Sequence, residues 1–245
     1  MIINENIRPY VIINGVSSRG IKGLIISKLP PITKPPKRYR AETIDGRDGE
    51  IITLLGWGSY DRTLEIGLSY DYDIDDIIGY FSQSGEIIFS NEPDKVYHFE
   101  SLKEIDFTKL IRFKKAKITF RFEPFKFSDS ESPRVFEGDR LTSCEVRNNG
   151  NIYSRPDLII TASRDIDLKI NGKKILDIQF DNAGNTYRIS SVEMDAYDVD
   201  QGELVNRSIQ GNYDKIRLDQ GKNVISFAGS GSVTKLEVVN YSRWI

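Results

Sequence analysis

Hydrophobic and polar positions alternate with a period of two along most of this chain. Ile118, Phe120 and Phe122 share one face, with Thr119, Arg121 and Glu123 on the other. Leu64, Ile66 and Leu68 alternate with Glu65, Gly67 and Ser69, and Leu158, Ile160 and Ala162 with Ile159, Thr161 and Ser163. Leu236 and Val238 alternate with Glu237 and Val239. Successive side chains of an extended chain point to opposite faces, so these segments predict strands, most of them half buried. Asn14-Gly15, Asn149-Gly150 and Asn171-Gly172 punctuate them. Both residue types tolerate positive φ, and the dipeptide predicts a tight turn. Many short strands with frequent turns predict sandwiches or barrels.

One segment departs from this pattern. Ile74, Ile77, Ile78 and Phe81 fall at i, i+3, i+4 and i+7 and predict a single amphipathic helix. Asp73 is placed to cap its free N–H groups, and Asp75 and Asp76 suit the positive end of its dipole. Gly85 is expected to end it in the left-handed conformation.

Two stretches break the alternation. Residues 30–37 read Pro-Pro-Ile-Thr-Lys-Pro-Pro-Lys. Pro30, Pro31, Pro35 and Pro36 lack backbone donors and fix φ, so the stretch predicts an extended connector. It reads either as a plain surface loop or as an arm that leaves its domain to touch a neighbour. The second break, Phe127-Ser128-Asp129-Ser130-Glu131-Ser132-Pro133, is polar and ends in proline. It predicts a boundary between domains 1–133 and 134–245.

The 245 residues carry a net charge of −2, which disfavours non-specific binding to nucleic acid. Cys144 is the single cysteine, so a disulfide framework within the chain is excluded, and burial is its expected role. The start, Met1-Ile2-Ile3-Asn4-Glu5, lacks the basic and apolar runs of a signal peptide, and no apolar stretch is long enough for a membrane span. His98 is the single histidine and sits in an alternating segment, so it reads as a strand-surface residue. The acidic run Asp71–Asp76 fails as a calcium loop, because its sixth and twelfth places hold Asp76 and Ser82. Asp195–Gly202 reads as a long hairpin tip. Gly229-Ser230-Gly231 is a turn, not a dinucleotide fingerprint. No motif singles out a catalytic residue, a cofactor or a metal, and the expectation is a protein that is not an enzyme. Trp244 is expected to close the last strand. Trp57, between Gly56 and Gly58, is expected in a turn as an exposed contact residue.

Taken in order, several short motifs resemble one family. They are Val11-Ile12-Ile13-Asn14-Gly15, Ile44-Asp45-Gly46-Arg47-Asp48-Gly49, Ser90-Asn91-Glu92-Pro93-Asp94-Lys95-Val96-Tyr97 and Phe122-Glu123-Pro124-Phe125-Lys126-Phe127. The second half adds Asn148-Asn149-Gly150-Asn151, Arg155-Pro156-Asp157-Leu158, Lys169-Ile170-Asn171-Gly172 and Leu218-Asp219-Gln220-Gly221-Lys222-Asn223. The set resembles the distal tail protein (Dit) of long-tailed phages that infect Gram-positive bacteria. The resemblance implies a mainly β chain: an N-terminal tail-tube-like β-sandwich or barrel with one short α-helix, then a C-terminal galectin-like β-sandwich. It implies a homohexameric ring at the virion tail tip, made and assembled in the host cytoplasm. Its implied partners are the tail tube protein, the tail-tip protein and a receptor-binding protein. No membrane and no sequence-specific nucleic-acid contact are implied, nor any catalytic residue, cofactor or metal. The chain leaves no room for an inserted carbohydrate-binding module. Residues 30–50 are then a candidate belt, with Pro30, Pro31, Pro35, Pro36, Gly46, Arg47, Asp48, Gly49 and Trp57 as contacts to a neighbour. The alternative reading is a carbohydrate-binding β-sandwich that acts in host adsorption.

Overall fold

The computed structural model describes residues 8–182 and 184–245, so the reading of Met1–Glu5 lies outside the described residues. The chain divides into two compact units, the first running to Asp129 and the second spanning Ser130–Trp244. The protein is mainly β throughout.

The first unit is built on one curled antiparallel sheet. Its strands are β1 (Val11–Ile13), β2 (Val16–Ser17), β3 (Leu24–Lys28), β6 (Tyr60–Leu68), β7 (Gly85–Phe89), β8 (Lys95–Glu100) and β9 (Lys115–Ser128), in the order β2-β1-β7-β8-β9-β6-β3. The remaining pair, β4 (Lys37–Thr43) and β5 (Glu50–Trp57), forms a separate two-stranded ribbon. The period-two faces are oriented as expected: Leu64, Ile66, Ile118, Phe120 and Phe122 are all buried. They meet Phe89, Tyr97 and Phe99 in one aromatic-rich core. Asn14 and Gly15 adopt φ of 47° and 81°, as the tight turn between β1 and β2 requires.

Helix α1 (Ile74–Phe81) lays Ile77, Tyr80 and Phe81 on this core. The Asp73 carboxylate accepts from the backbone N–H groups of Asp75 and Asp76, which confirms the cap. The helix ends at Ser82 in the right-handed region, not at Gly85. Gly85 instead opens β7 with φ 132°, where a Cβ would lie 2.4 Å from the Asn14 side-chain oxygen. A second helix, α2 (Phe107–Phe113), went unpredicted. It is seven residues long and buries Leu110 alone, too little to print a 3.6-residue period.

The second unit is a sandwich of two antiparallel sheets with a common core. One holds β10 (Arg134–Leu141), β19 (Ser232–Val239), β12 (Asp157–Ser163), β15 (Asn185–Ser190) and β16 (Asp195–Asp198) in that order. The other holds β11 (Ser143–Asn148), β18 (Gly221–Gly229), β13 (Ile166–Ile170), β14 (Lys173–Ile178) and β17 (Ile209–Gly211). Leu158, Ile160, Ala162, Leu236 and Val238 face inward, and Cys144 is buried among them. Burial pushes its thiol pKa up, away from reactivity. The last strand, β20 (Arg243–Trp244), leaves Trp244 half buried.

Asn171-Gly172 forms the expected turn, with φ of 50° and 78° between β13 and β14. Asn149-Gly150 does not. Neither residue takes positive φ, and the glycine serves a close approach instead. A Cβ on Gly150 would lie 2.2 Å from the Arg243 carbonyl oxygen. Around it Asn148 donates to the Ile152 and Leu218 carbonyls, and Ser242 donates to the Glu131 carboxylate at 2.7 Å. Gly150→Ala is therefore expected to destabilise the second unit by about 1–3 kcal/mol, the cost of overpacking a tight site. Denaturant unfolding checks this, with Gly172→Ala as the comparison: there the added methyl meets open space and only φ is strained.

Candidate functional site: an exposed hairpin and its root

The β4–β5 ribbon is the part of the first unit that its own core does not use. Pairing runs Tyr39↔Leu54, Ala41↔Ile52 and Thr43↔Glu50 on one face, and Arg40↔Thr53 and Glu42↔Ile51 on the other. The faces differ in chemistry. Tyr39, Ile52 and Leu54 are 59%, 60% and 61% exposed, while Arg40 and Glu42 pair with each other at 2.9 Å on the opposite face. An isolated two-stranded hairpin is marginal in water, and this one keeps an apolar face uncovered. Its tip turns at Gly46 and Gly49, both at φ 80°, with the Arg47 N–H donating to the Ile44 carbonyl at 3.1 Å. Gly46, Arg47, Asp48 and Gly49 are all exposed.

The root is built in the opposite way. Of the four prolines, Pro30 and Pro35 are buried and Pro31 and Pro36 exposed, so the connector lies along the unit rather than hanging free. The Pro36 carbonyl accepts from the Gly58 N–H at 2.8 Å and ties the two ends of the hairpin together. Lys37 already belongs to β4. Arg62, on β6, is 4% exposed, and one of its terminal nitrogens donates to the Pro31 carbonyl at 3.0 Å, with the Pro30 carbonyl at 3.4 Å. The same guanidinium lies 4.9, 4.8 and 5.5 Å from the ring centres of Phe89, Tyr97 and Phe122. Its Nε and Nη1 are buried and, among the described residues, meet no hydrogen-bond partner. Tyr97 in turn donates to the buried Glu92 carboxylate, which also binds Lys126. Burial, then that carboxylate, holds the Tyr97 phenol protonated well above its usual range. The proline connector thus rests on a cation enclosed by aromatic rings.

Trp57 is corrected by the structure. It is the last residue of β5, half buried, not an exposed turn residue. Its ring meets Phe125 edge-on at 6.4 Å, with the ammonium groups of Lys34 and Lys37 each 5.5 Å from its centre. Three side chains thus pack around the ring. So the predicted contact residues divide: Gly46–Gly49 form the tip, while Pro30, Pro35 and Trp57 belong to the root. Sequence reasoning missed Arg62, whose only signal is a charge on the inward face of an alternating strand.

Other predicted features lie apart from this site. His98 is on β8 at the surface, stacked on Phe127, with Glu86 and Glu123 carboxylates 3.4 and 3.6 Å from its two nitrogens. The Asp195–Gly202 segment is a short strand and a tight turn, in which the Asp198 carboxylate accepts from the N–H groups of Asp200 and Gln201. Among the described residues, no cluster of histidine, cysteine and carboxylates fits a metal ion, and no helix is long and apolar enough to cross a membrane.

A two-part chain of this kind, a curled sheet carrying an exposed ribbon followed by a ten-stranded sandwich, has the fold of a phage distal tail protein. The crystal structure of the SPP1 Dit protein (gp 19.1) matches with a TM-score of 0.69 over 95% of this chain and 99% of that one, at 13% identity. That protein is described as a paradigm of the hub adsorption apparatus in phages infecting Gram-positive bacteria. A chain of the phage P2 baseplate in its activated, calcium-containing conformation aligns over 96% of this chain and 98% of its own, with a TM-score of 0.42 and 8% identity. No family model and no curated protein sequence matches this chain.

Arg62→Lys is expected to lower the stability of the first unit by about 1–3 kcal/mol, because an ammonium cannot both stack on three rings and reach two carbonyls. Limited proteolysis should then cut residues 30–36 faster than in the parent chain. Unchanged cleavage and unchanged unfolding would show that Arg62 does not hold the connector.

Proposed function

We propose that this protein is the structural hub of a long-tailed phage or prophage tail tip, of the type that infects Gram-positive bacteria. Six copies close a ring that joins the tail tube to the tail-tip and baseplate proteins and to the receptor-binding protein. The chain works in the virion tail tip after assembly in the host cytoplasm, and it is not an enzyme. The observation that carries this reading is the hairpin of residues 37–57, with an apolar face that its own unit leaves bare and a root that is clamped. A firmly held, uncovered element projects to a neighbour, and the likeness of fold to the SPP1 hub protein supports a neighbour of the same kind.

Such a contact is heterologous: the hairpin of one copy meets a different surface of the next, and repetition closes a ring when the rotation allows. The ribbon is about 25 Å long at ~3.4 Å per residue, against a radius of gyration of roughly 14 Å for a unit of this size. It can therefore span a neighbour's flank. The C-terminal sandwich is proposed as the outward-facing, galectin-like part. A sugar-binding role would need an exposed aromatic face, and the Trp57 ring is taken up by Phe125, Lys34 and Lys37.

Light scattering on the purified chain is expected to give a species of roughly six times the 28.0 kDa chain mass, visible as a ring with a central hole in negative stain. Replacing residues 38–56 by a short Gly-Ser link should leave a folded monomer, since the hairpin contributes nothing to the core. A ring that survives this deletion would sink the proposal that the hairpin joins the subunits.

A further inference from the structure

The second unit gathers cations where two of its loops cross. Ser154 and Leu218 meet in a single antiparallel bridge, with N···O distances of 2.9 and 3.1 Å, and both side chains are fully buried. Their sequence neighbours point the other way, so Tyr153, Arg155, Arg217 and Asp219 share the outer face, with Arg155 opposite Arg217. Like charges set opposite each other on paired strands destabilise. One carboxylate stands between these two: Asp214 Oδ1 accepts from Arg155 at 2.6 Å and from Arg217 at 2.7 Å, and Arg217 Nε also donates to the Asp214 carbonyl at 2.7 Å. Arg243, 8% exposed, joins from β20. Its Nε donates to the Tyr153 carbonyl at 2.7 Å, and its guanidinium and that of Arg217 each lie 4.5 Å from the centre of the Tyr153 ring.

The charges do not balance. Arg217, Arg155 and the exposed Lys215 hold the Asp214 carboxyl below its usual range. Burial, with Arg155 and Arg217 adding to it, pushes the Arg243 pKa down, so the guanidiniums repel one another. Arg155, Lys215, Arg217 and Arg243 stand against Asp214 and Asp219, four cations to two carboxylates. Elsewhere in this unit cations pair singly with carboxylates on neighbouring strands: Arg188 with Asp157, Lys222 with Glu145 and Lys235 with Glu137. The side chains of Arg155 and Arg217 keep 27% and 33% of their surface in water, enough to reach a small ligand. A carboxylate offers two oxygens and one charge. A phosphate monoester offers three oxygens and a charge of about −2 at neutral pH, which matches the excess. A polyanion would need a track of cations, and here they form one knot on a chain of net charge −2.

We infer that this cluster is a binding site for a single phosphate group. Arg155 and Arg217 receive it on the edges they do not turn to Asp214, Arg243 adds charge from beneath, and Lys215 stands at the rim. Asp214 and Tyr153 are positioning residues that keep the guanidiniums in place. The site lies within one unit and does not depend on the ring reading.

Arginine-selective modification by phenylglyoxal, on the full-length chain and read residue by residue by mass spectrometry, tests it. Inorganic phosphate should slow modification of Arg155 and Arg217 about fivefold or more relative to sodium chloride at equal ionic strength, because charge-assisted bonds hold both groups. Arg134 and Arg140, exposed on β10, should react as before. Arg155→Gln should raise the phosphate concentration that half-protects Arg217 by about tenfold, and Arg155→Lys, which keeps the charge without the fork, by less. Equal protection by phenyl phosphate would support a phosphate carried on a larger molecule; protection by inorganic phosphate alone would support a site for the free ion. Equal protection by acetate would overturn the choice of phosphate and assign the cluster to an acidic side chain of a partner protein. No protection beyond that of chloride, or the same slowing at Arg134 and Arg140, would overturn the site and leave these arginines as ties between loops.

Discussion

An arginine taken out of water costs several kcal/mol unless its charge and its donors are met, so it persists only where the surroundings compensate. Arg62 is met in two ways. Three aromatic faces close around the guanidinium, and the carbonyls of Pro30 and Pro31 accept from one edge of it. Proline carbonyls suit this role. Their residues bring no N–H of their own that would need a second partner, and the fixed φ presents the acceptors at small entropic cost. The clamp joins three things that are otherwise independent: the aromatic core, the connector after β3, and the direction in which the hairpin leaves the unit.

The two units dispose of their polar and apolar groups differently. In the second, apolar side chains fill one core between two sheets, and polar ones close loops on themselves. Asn223 accepts from the Asp219 N–H and donates back to the Asp219 carbonyl; Asn171 accepts from the Val224 N–H and donates to Asn223. Apart from the bond between them, these asparagine side chains pair with backbone groups at the ends of the neighbouring turns and strands. In the first unit a comparable core coexists with a ribbon whose isoleucine, leucine and tyrosine stay in water. Such exposure carries an aggregation risk, and a protein that keeps it has a use for it.

This division also governs what the residues disclosed in advance. Strands such as β6, β9, β12 and β19 were legible because each has one wet and one dry face, and period two records that directly. The α1 cap was legible because Asp73 acts within one turn of itself. The long-range groups were not. Arg62 reads as an ordinary charge until Phe89, Tyr97 and Phe122 converge on it from three other strands. Gly85 and Gly150 read as a stop and a turn, yet each makes room for a group distant in sequence, Asn14 in one case and Arg243 in the other. Trp57 looked open because its chain neighbours are small, and only the fold brings Phe125 to it. Of the candidate site, the tip at Gly46–Gly49 was evident from local turn chemistry, while the root depended on contacts that no local pattern encodes.

A clamped root has a consequence for the ring proposed for this chain. A hairpin on a flexible linker would lose orientational freedom each time it docked, and every immobilised segment subtracts from affinity. Here that loss is taken during folding of the single unit, through four prolines, the Pro36–Gly58 hydrogen bond and the Arg62 donors. In the proposed ring, docking would then order little more than the side chains of the ribbon. Direction is fixed as well, and closure of a ring is a matter of angle: a heterologous joint repeated at a loose angle gives open chains of variable length, while a stiff one selects a single closed number. The buried cation is in this respect a device for geometry more than for stability, and an apolar replacement that preserved the fold would still remove what aims the hairpin.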